Sequence, residues 1–254
     1  MCVLAFQYKT ARDATILVAA NREEFYDRPT QAPRIQSGRP RVICGIDRKA
    51  GGTWFGVNQH SMFVAVANRF RSPMPTEPRS RGQLCRDMLN ETSAVAAAEH
   101  AAAEMKSGRY PSANFICADM NQAFVVQCGG RHHDESTVRV IELEPGLHMF
   151  SDAGVNDYAD ERQEFVRRLL TLQRLDSAVA FLAVAAKTFT RKPDPENRRG
   201  VVLCGNAWGT VSSALLTLAK RTNNTVFHYA PITSGESSWD DLSALLRQVL
   251  STDK

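Results

Sequence analysis

An α+β fold, with helices packed outside antiparallel sheets, is predicted for this chain by three observations. Apolar runs and helical patterns come in blocks: many strands, two helices, strands, two helices, strands. Several runs are short and continuous, as in strands buried on both faces. No G-x-G-x-x-G follows a strand and no Walker loop occurs, so a dinucleotide-binding or P-loop sheet fits poorly.

The elements follow in order. Val3 to Tyr8 and Thr15 to Ala20 are apolar runs joined by the polar "KTARD", the pattern of an antiparallel hairpin. Loop-rich sequence with Pro29, Pro33 and Pro40 is expected from there to about Lys49. "GGTWFGVNQHSMFVAVANRF" reads as a second hairpin turning near Asn58-Gln59-His60, and "RSPMPTEPRS" as a Pro-rich loop. A helix over Arg81 to Leu89 starts behind Ser80, a candidate N-cap. An Ala-rich helix over Ser93 to Lys106 stops at Gly108. "NFICADM" and "AFVVQCG" form a third hairpin around Asn121-Gln122, and "TVRVIEL" and "LHMFSD" flank the turn signal Pro145-Gly146. Helical periodicity marks Tyr158 to Leu172 and Ser177 to Lys187, with Phe165, Val166, Leu169 and Leu170 as a core stripe. "VVLC", "VSSALLTLA" and "NTVFHYA" complete the strands, and Trp239 to Leu250 is a last helix.

Composition narrows the function classes. The 254 residues are read as one domain, 1–254, long enough to bury a core without staples. Hydrophobic residues are 43% and charged residues 23%, near the globular average, which excludes a disordered chain. The net charge of +4 is spread over scattered basic residues, so no nucleic-acid partner is expected. The first apolar run is short and lacks a basic segment before it, and the longest, Ala178 to Ala186, is far below the roughly 18 residues of a membrane span. A soluble cytoplasmic protein is expected. Cys2, Cys44, Cys85, Cys117, Cys128 and Cys204 show no C-x-x-C and are read as free thiols, with Cys117, Cys128 and Cys204 buried. The histidines lack paired metal-ligand spacing apart from the neighbours His132-His133, so no metal site is expected.

The first hairpin brings two stretches together. If Tyr8 lies near Ala14, residue 2 lies opposite about residue 20, within two positions, and Cys2 sits beside Ala20-Asn21-Arg22. Removal of Met1 exposes an α-amine on Cys2 whose ordinary pKa near 8 suits it to take the thiol proton. Arg22 favours the thiolate, Asn21 orients a substrate carbonyl, and Glu23 or Glu24 holds the arginine or the amine. The competing reading makes Cys2 a small buried hydrophobe and Asn21-Arg22-Glu23-Glu24 a solvated turn or cap. Gly52, Thr53 and Trp54 line a ligand cleft or serve the core. Arg69, Arg71, Arg79 and Arg81 meet an anionic ligand or belong to a solvated loop.

"ANREEFYDRP" resembles the signature of the NRDE family, also called the transport and Golgi organisation protein 2 family, with Glu23 where its third position is Asp. "GGTWFGVN" with "VANRF", "RGQLCRDML" and "NFICAD" resemble later blocks of the family. The resemblance implies an N-terminal nucleophile hydrolase-like fold, a four-layer αββα sandwich of two antiparallel sheets with the nucleophile on the first strand. It implies catalytic roles for Cys2, Asn21, Arg22, Glu24, Asn68 and Asp152, beside the ligand binding expected from the residues at Gly52, Thr53, Trp54 and Arg69. Asp152 stands where an asparagine amide is expected to help bind the oxyanion, and an ionised carboxylate there accepts rather than donates. Val211, in "GTVSS", stands where an arginine is expected. Two functions are implied: cleavage of a non-peptide amide or thioester through Cys2, with a small-molecule acyl substrate, or non-catalytic binding and trafficking of haem or acyl-CoA lipid. No cofactor is required by either, and haem enters only as bound cargo.

Overall fold

The computed structural model describes residues 2–69, 74–129, 137–194, 199–232 and 238–251. In chain order the elements are β1 (Cys2–Tyr8), β2 (Ile16–Phe25), β3 (Thr30–Gln36), β4 (Val42–Asp47), β5 (Phe55–Asn58), β6 (Phe63–Asn68), α1 (Arg81–Met88) and α2 (Ala94–Lys106). Then come β7 (Ala113–Ala118), β8 (Ala123–Cys128), β9 (Val138–Glu142), β10 (Gly146–Ser151), β11 (Gly154–Val155), α3 (Glu161–Thr171) and α4 (Ala178–Phe189). The chain closes with β12 (Trp208–Leu218), β13 (Val226–Pro231), β14 (Asp240–Asp241) and α5 (Ser243–Leu250). The strands form two seven-stranded sheets, in the orders β11-β10-β1-β2-β12-β13-β14 and β3-β4-β5-β6-β7-β8-β9, and every recorded strand pair is antiparallel. This is the α+β class expected.

The chain gathers into two compact units, one of residues 1–28, 145–151 and 155–244, the other of 29–144, 152–154 and 245–254. In the first, α3 and α4 cover one face of the sheet: Val3, Ala5, Leu17, Ala19 and Leu215 pack with Val166, Leu170, Phe181, Ala185 and Phe189. In the second, Val64, Phe115, Cys117 and Val126 pack with Leu84, Cys85 and Met88 of α1 and Ala97, Ala101 and Met105 of α2. Side chains cap four helices as their sequences call for. Ser80, Ser93 and Ser177 each accept from the backbone N–H three residues on, and Asp160 does the same for α3. Gly108 ends α2 at φ +69°, a conformation that costs glycine little.

The structure departs from the sequence reading in five places. The expected loop before Lys49 contains the β3–β4 hairpin, whose outer strand tolerates Pro33 because it is a sheet edge with a register shift between Gln31 and Arg34. β2 runs five residues past Ala20 into the polar cluster. β9 and β10, on either side of Pro145, join different sheets: β9 pairs with β8 and β10 with β1. "VVLC" is no strand and makes only an isolated bridge between Cys204 and Gly209. The last helix starts at Ser243, after β14. Arg71 and His132-His133 lie outside the described residues.

Candidate functional site

In the first unit, Cys2 is directly opposite Arg22 in the β1–β2 ladder, and Arg22 is opposite Ser212 in the β2–β12 ladder. Directly opposed residues share a face, so Cys2, Arg22 and Ser212 form a row across three strands. Val3, Leu17 and Ala19 face the helices, which places the row on the other face. Cys2 is partly open to solvent, whereas Arg22 is 6% and Ser212 3% exposed. Tyr229 hydrogen-bonds the Ser212 side chain at the far end, near the Arg22 charge. Arg22 reaches Glu24 on the same strand at 3.4 Å, and Glu24 also takes Arg28 at 3.6 Å.

Asn21 and Glu23 project from the opposite face, into the helices. Asn21 Nδ2 donates to the Phe189 carbonyl at 2.9 Å, and Ser213 Oγ donates to Asn21 Oδ1 at 2.6 Å. The Glu23 side chain is fully buried and takes a two-pronged bond from Arg162 of α3, at 2.6 and 3.2 Å. Thr210 Oγ1 adds a 3.4 Å bond to Glu23 and accepts from the Leu203 N–H. These bonds explain why a polar stretch that reads as a turn is a buried strand: every polar side chain entering the core meets a partner. Asn21 is therefore a tie between β2, α4 and β12. Val211 is skipped where the β2–β12 register shifts between Thr210 and Ser212.

Burial pushes the Cys2 thiol up, the Glu23 charge pushes the same way, and Arg22 pulls it down without prevailing. Arg22 thus favours the thiolate, as expected, but burial and Glu23 outweigh it. Glu23 is likewise pushed up by burial and pulled back by Arg162. Cys44 is raised to about 11, and Cys85, Cys117 and Cys128 are also raised, all by burial first. Cys204 is exposed, against the expectation of a buried thiol.

The remaining expected site residues belong to the second unit. Asn68 ends β6 opposite Ala113 and is half-buried. Arg69 donates from its backbone to Ser112 O at 3.2 Å and from Nη2 to Ala153 O at 3.4 Å, next to Asp152, which is 8% exposed. Gly52 lies against the backbone of Gly82, and Thr53 N–H donates to the Gly82 carbonyl at 2.9 Å. Thr53 is buried and bonds the Phe55 carbonyl, while the Trp54 ring lies over Gly45. Gly52, Thr53 and Trp54 thus join α1 to the second sheet. Arg79 pairs with Glu104, and Arg81 donates to Ser112 O. Among the described residues no group of three or more His, Cys, Asp or Glu is placed to hold a metal ion.

Sequence reasoning missed Arg162, Thr210, Ser212, Ser213 and Tyr229. The "GTVSS" block held the only signal for three of them. Arg162 sits in an ordinary charged helix turn, and its distance from Glu23 in the chain leaves no local pattern.

A family model described as Transport and Golgi organisation 2 matches residues 1–227. The human Transport and Golgi organization protein 2 homolog is 27% identical over 163 residues, which are 60% of this chain and 57% of that protein. The mouse homolog is 29% identical over 164 residues, with the same coverage. The matched region thus spans little more than half the length of these relatives. Among solved structures, a Caenorhabditis elegans N-acylethanolamine-hydrolyzing acid amidase ortholog superposes with a TM-score of 0.57 at 14% identity, covering 85% of this chain and 92% of that one. A variant of conjugated bile acid hydrolase from Clostridium perfringens gives 0.52 at 11%, covering 96% and 93%. At these identities the likeness establishes the fold.

Proposed function

Since the chain belongs to the Transport and Golgi organisation 2 family and shares its fold with an acid amidase and a bile acid hydrolase, we propose that it hydrolyses a small non-peptide amide or thioester through Cys2. The observation that carries this reading is the row Cys2–Arg22–Ser212, a half-buried cysteine at a strand end beside a buried cation. With Met1 removed, the Cys2 amine takes the thiol proton as sulfur bonds to the acyl carbon. The proton passes to the departing amine or thiolate as its bond to carbon breaks. Water then cleaves the acyl-thioester, releasing a carboxylic acid and restoring the thiol. Turnover is slow in this reading: the thiol is raised and Asn21 is committed to structural bonds. The resemblance also expects an amide donor where Asp152 stands, and losing one oxyanion donor costs about 10²–10³ in rate. Hydrolysis of a panel of acyl amides and acyl-CoA esters tests it; activity should vanish in Cys2→Ala, and activity that survives rejects Cys2 as nucleophile.

A second reading, binding and trafficking of haem or acyl-CoA without turnover, is favoured by Asp152, a nearly buried carboxylate at the position where the resemblance expects an amide donor. Equilibrium titration with haem and with acyl-CoA separates the two. Binding without hydrolysis, in the wild type and in Asp152→Asn alike, supports the carrier. Hydrolysis that rises in Asp152→Asn supports the enzyme.

A further inference from the structure

The helical face of the first unit carries a feature that the Cys2 row does not use. Between α3 and α4 lies an open cavity of about 270 Å³, lined by Leu169, Leu172, Ala183 and Val184 on its apolar side and by Lys187 and Arg191 among its polar groups. It sits just under the ~300 Å³ lower end of small-molecule pockets. Leu172 is 69% exposed, so the apolar side of the cavity is open to a ligand from solvent. The charges are set apart from the apolar end. Arg191 stacks over the Phe165 ring at 5.7 Å, and Phe165 precedes Leu172 by seven helical positions, a separation of ~10 Å at 1.5 Å per residue.

Lys187 and Arg191 are four residues apart and line the same cavity, and neither makes an ion pair among the described residues. Lys187 lies in the last turn of α4, where a cation offsets the helix carbonyls. That role does not account for Arg191, which lies beyond the Thr190 cap. Its backbone is fixed: Arg191 N–H donates to Thr188 O, and Arg191 O accepts from Val201 and Val202 at 2.9 and 3.0 Å. A stacked guanidinium held on a rigid turn keeps its donors preorganised for a planar anion.

We propose that the α3–α4 cavity binds a single-chain amphiphilic carboxylate, with its head on Lys187 and Arg191 and its alkyl chain along Leu169, Leu172 and Val184. The site is independent of Cys2, whose side chain is on the other face of the sheet. The commitment to a free single-chain ligand follows from the cavity, whose volume of about 270 Å³ is too small for two chains and whose lining joins two cations to an apolar wall.

Isothermal titration of the full chain with decanoate tests this, beside decyltrimethylammonium (the chain with the opposite charge), acetate (the head alone) and co-sedimentation with anionic lipid vesicles. Saturable one-to-one binding of decanoate is expected, weakened about tenfold or more in Lys187→Ala/Arg191→Ala and in Leu172→Asp, both surface changes. Acetate and decyltrimethylammonium should not saturate, and Cys2→Ala should bind decanoate as the wild type does. Equal binding by the double variant, equal binding of the cationic detergent, or vesicle binding without decanoate binding each overturns the proposal. Loss of decanoate binding in Cys2→Ala moves the ligand to the Cys2 site and also overturns it, whereas loss of acyl hydrolysis alone leaves it standing.

Discussion

Cys2 holds its proton more tightly than an open thiol because burial and Glu23 outweigh Arg22. The sign fixes the pH behaviour: the neutral thiol persists through the ordinary cysteine range near 8.5, and thiolate accumulates only above it. Alkylation of Cys2 by iodoacetamide, followed by peptide mass mapping, should therefore rise with a midpoint above that range, and exposed Cys204 should label before Cys2 at neutral pH. Glu23→Gln removes a negative charge and should move the Cys2 profile to lower pH; Arg22→Gln should move it higher. A profile indifferent to both changes would show that neither charge reaches the sulfur. Arg162 presents the stability side of the same network. Arg162→Ala strands the fully buried Glu23 carboxylate, at a cost of about 3–5 kcal/mol, and the further change Glu23→Gln should recover much of it. Urea denaturation of the single and double variants measures both.

At the level of elements, the caps and one close approach give clean expectations. Ser93→Ala removes the side-chain acceptor of α2 and should cost about 1 kcal/mol in urea unfolding. Gly52→Ala drives a methyl into the Gly82 backbone at the start of α1, where no flexible side chain can yield, so it should cost at least ~1–3 kcal/mol. The helices were legible because their signals are local: Ser80, Ser93 and Ser177 each precede a periodic run, and Gly108 follows one. That Cys2 lies within two positions of residue 20 was legible because a short hairpin turn sets the register, and the pair is Cys2–Arg22. What stayed hidden depends on distant partners. Glu23 looks solvated until Arg162, more than a hundred residues on, neutralises it. Pro33 argues against a strand until the sheet order shows that β3 is an edge. The turn at Pro145 was visible, but not that its two flanking strands enter different sheets.

Over the whole molecule, the two units differ in how the chain supplies them. The second sheet takes β3 to β9 consecutively, each strand beside its sequence neighbour, while the first combines β1 and β2 with strands from the far half of the chain. None of the described helices is long and apolar enough to cross a membrane. A chain stopped at residue 207 keeps the second sheet's strands but lacks β12, so β2 has no second neighbour; it should recover mainly in the insoluble fraction, as centrifugation of expressed lysate would show. The order has a further consequence in time. Residue 25 completes β2, and its second neighbour is complete only at residue 218, which is 193 residues later. At a synthesis rate of roughly 5–20 residues per second, the nascent hairpin carrying Cys2 waits on the order of ten to forty seconds at the ribosome with hydrogen-bonding groups uncovered. Variants that weaken that hairpin should then betray themselves first as lost yield during translation, with the surviving molecules close to normal.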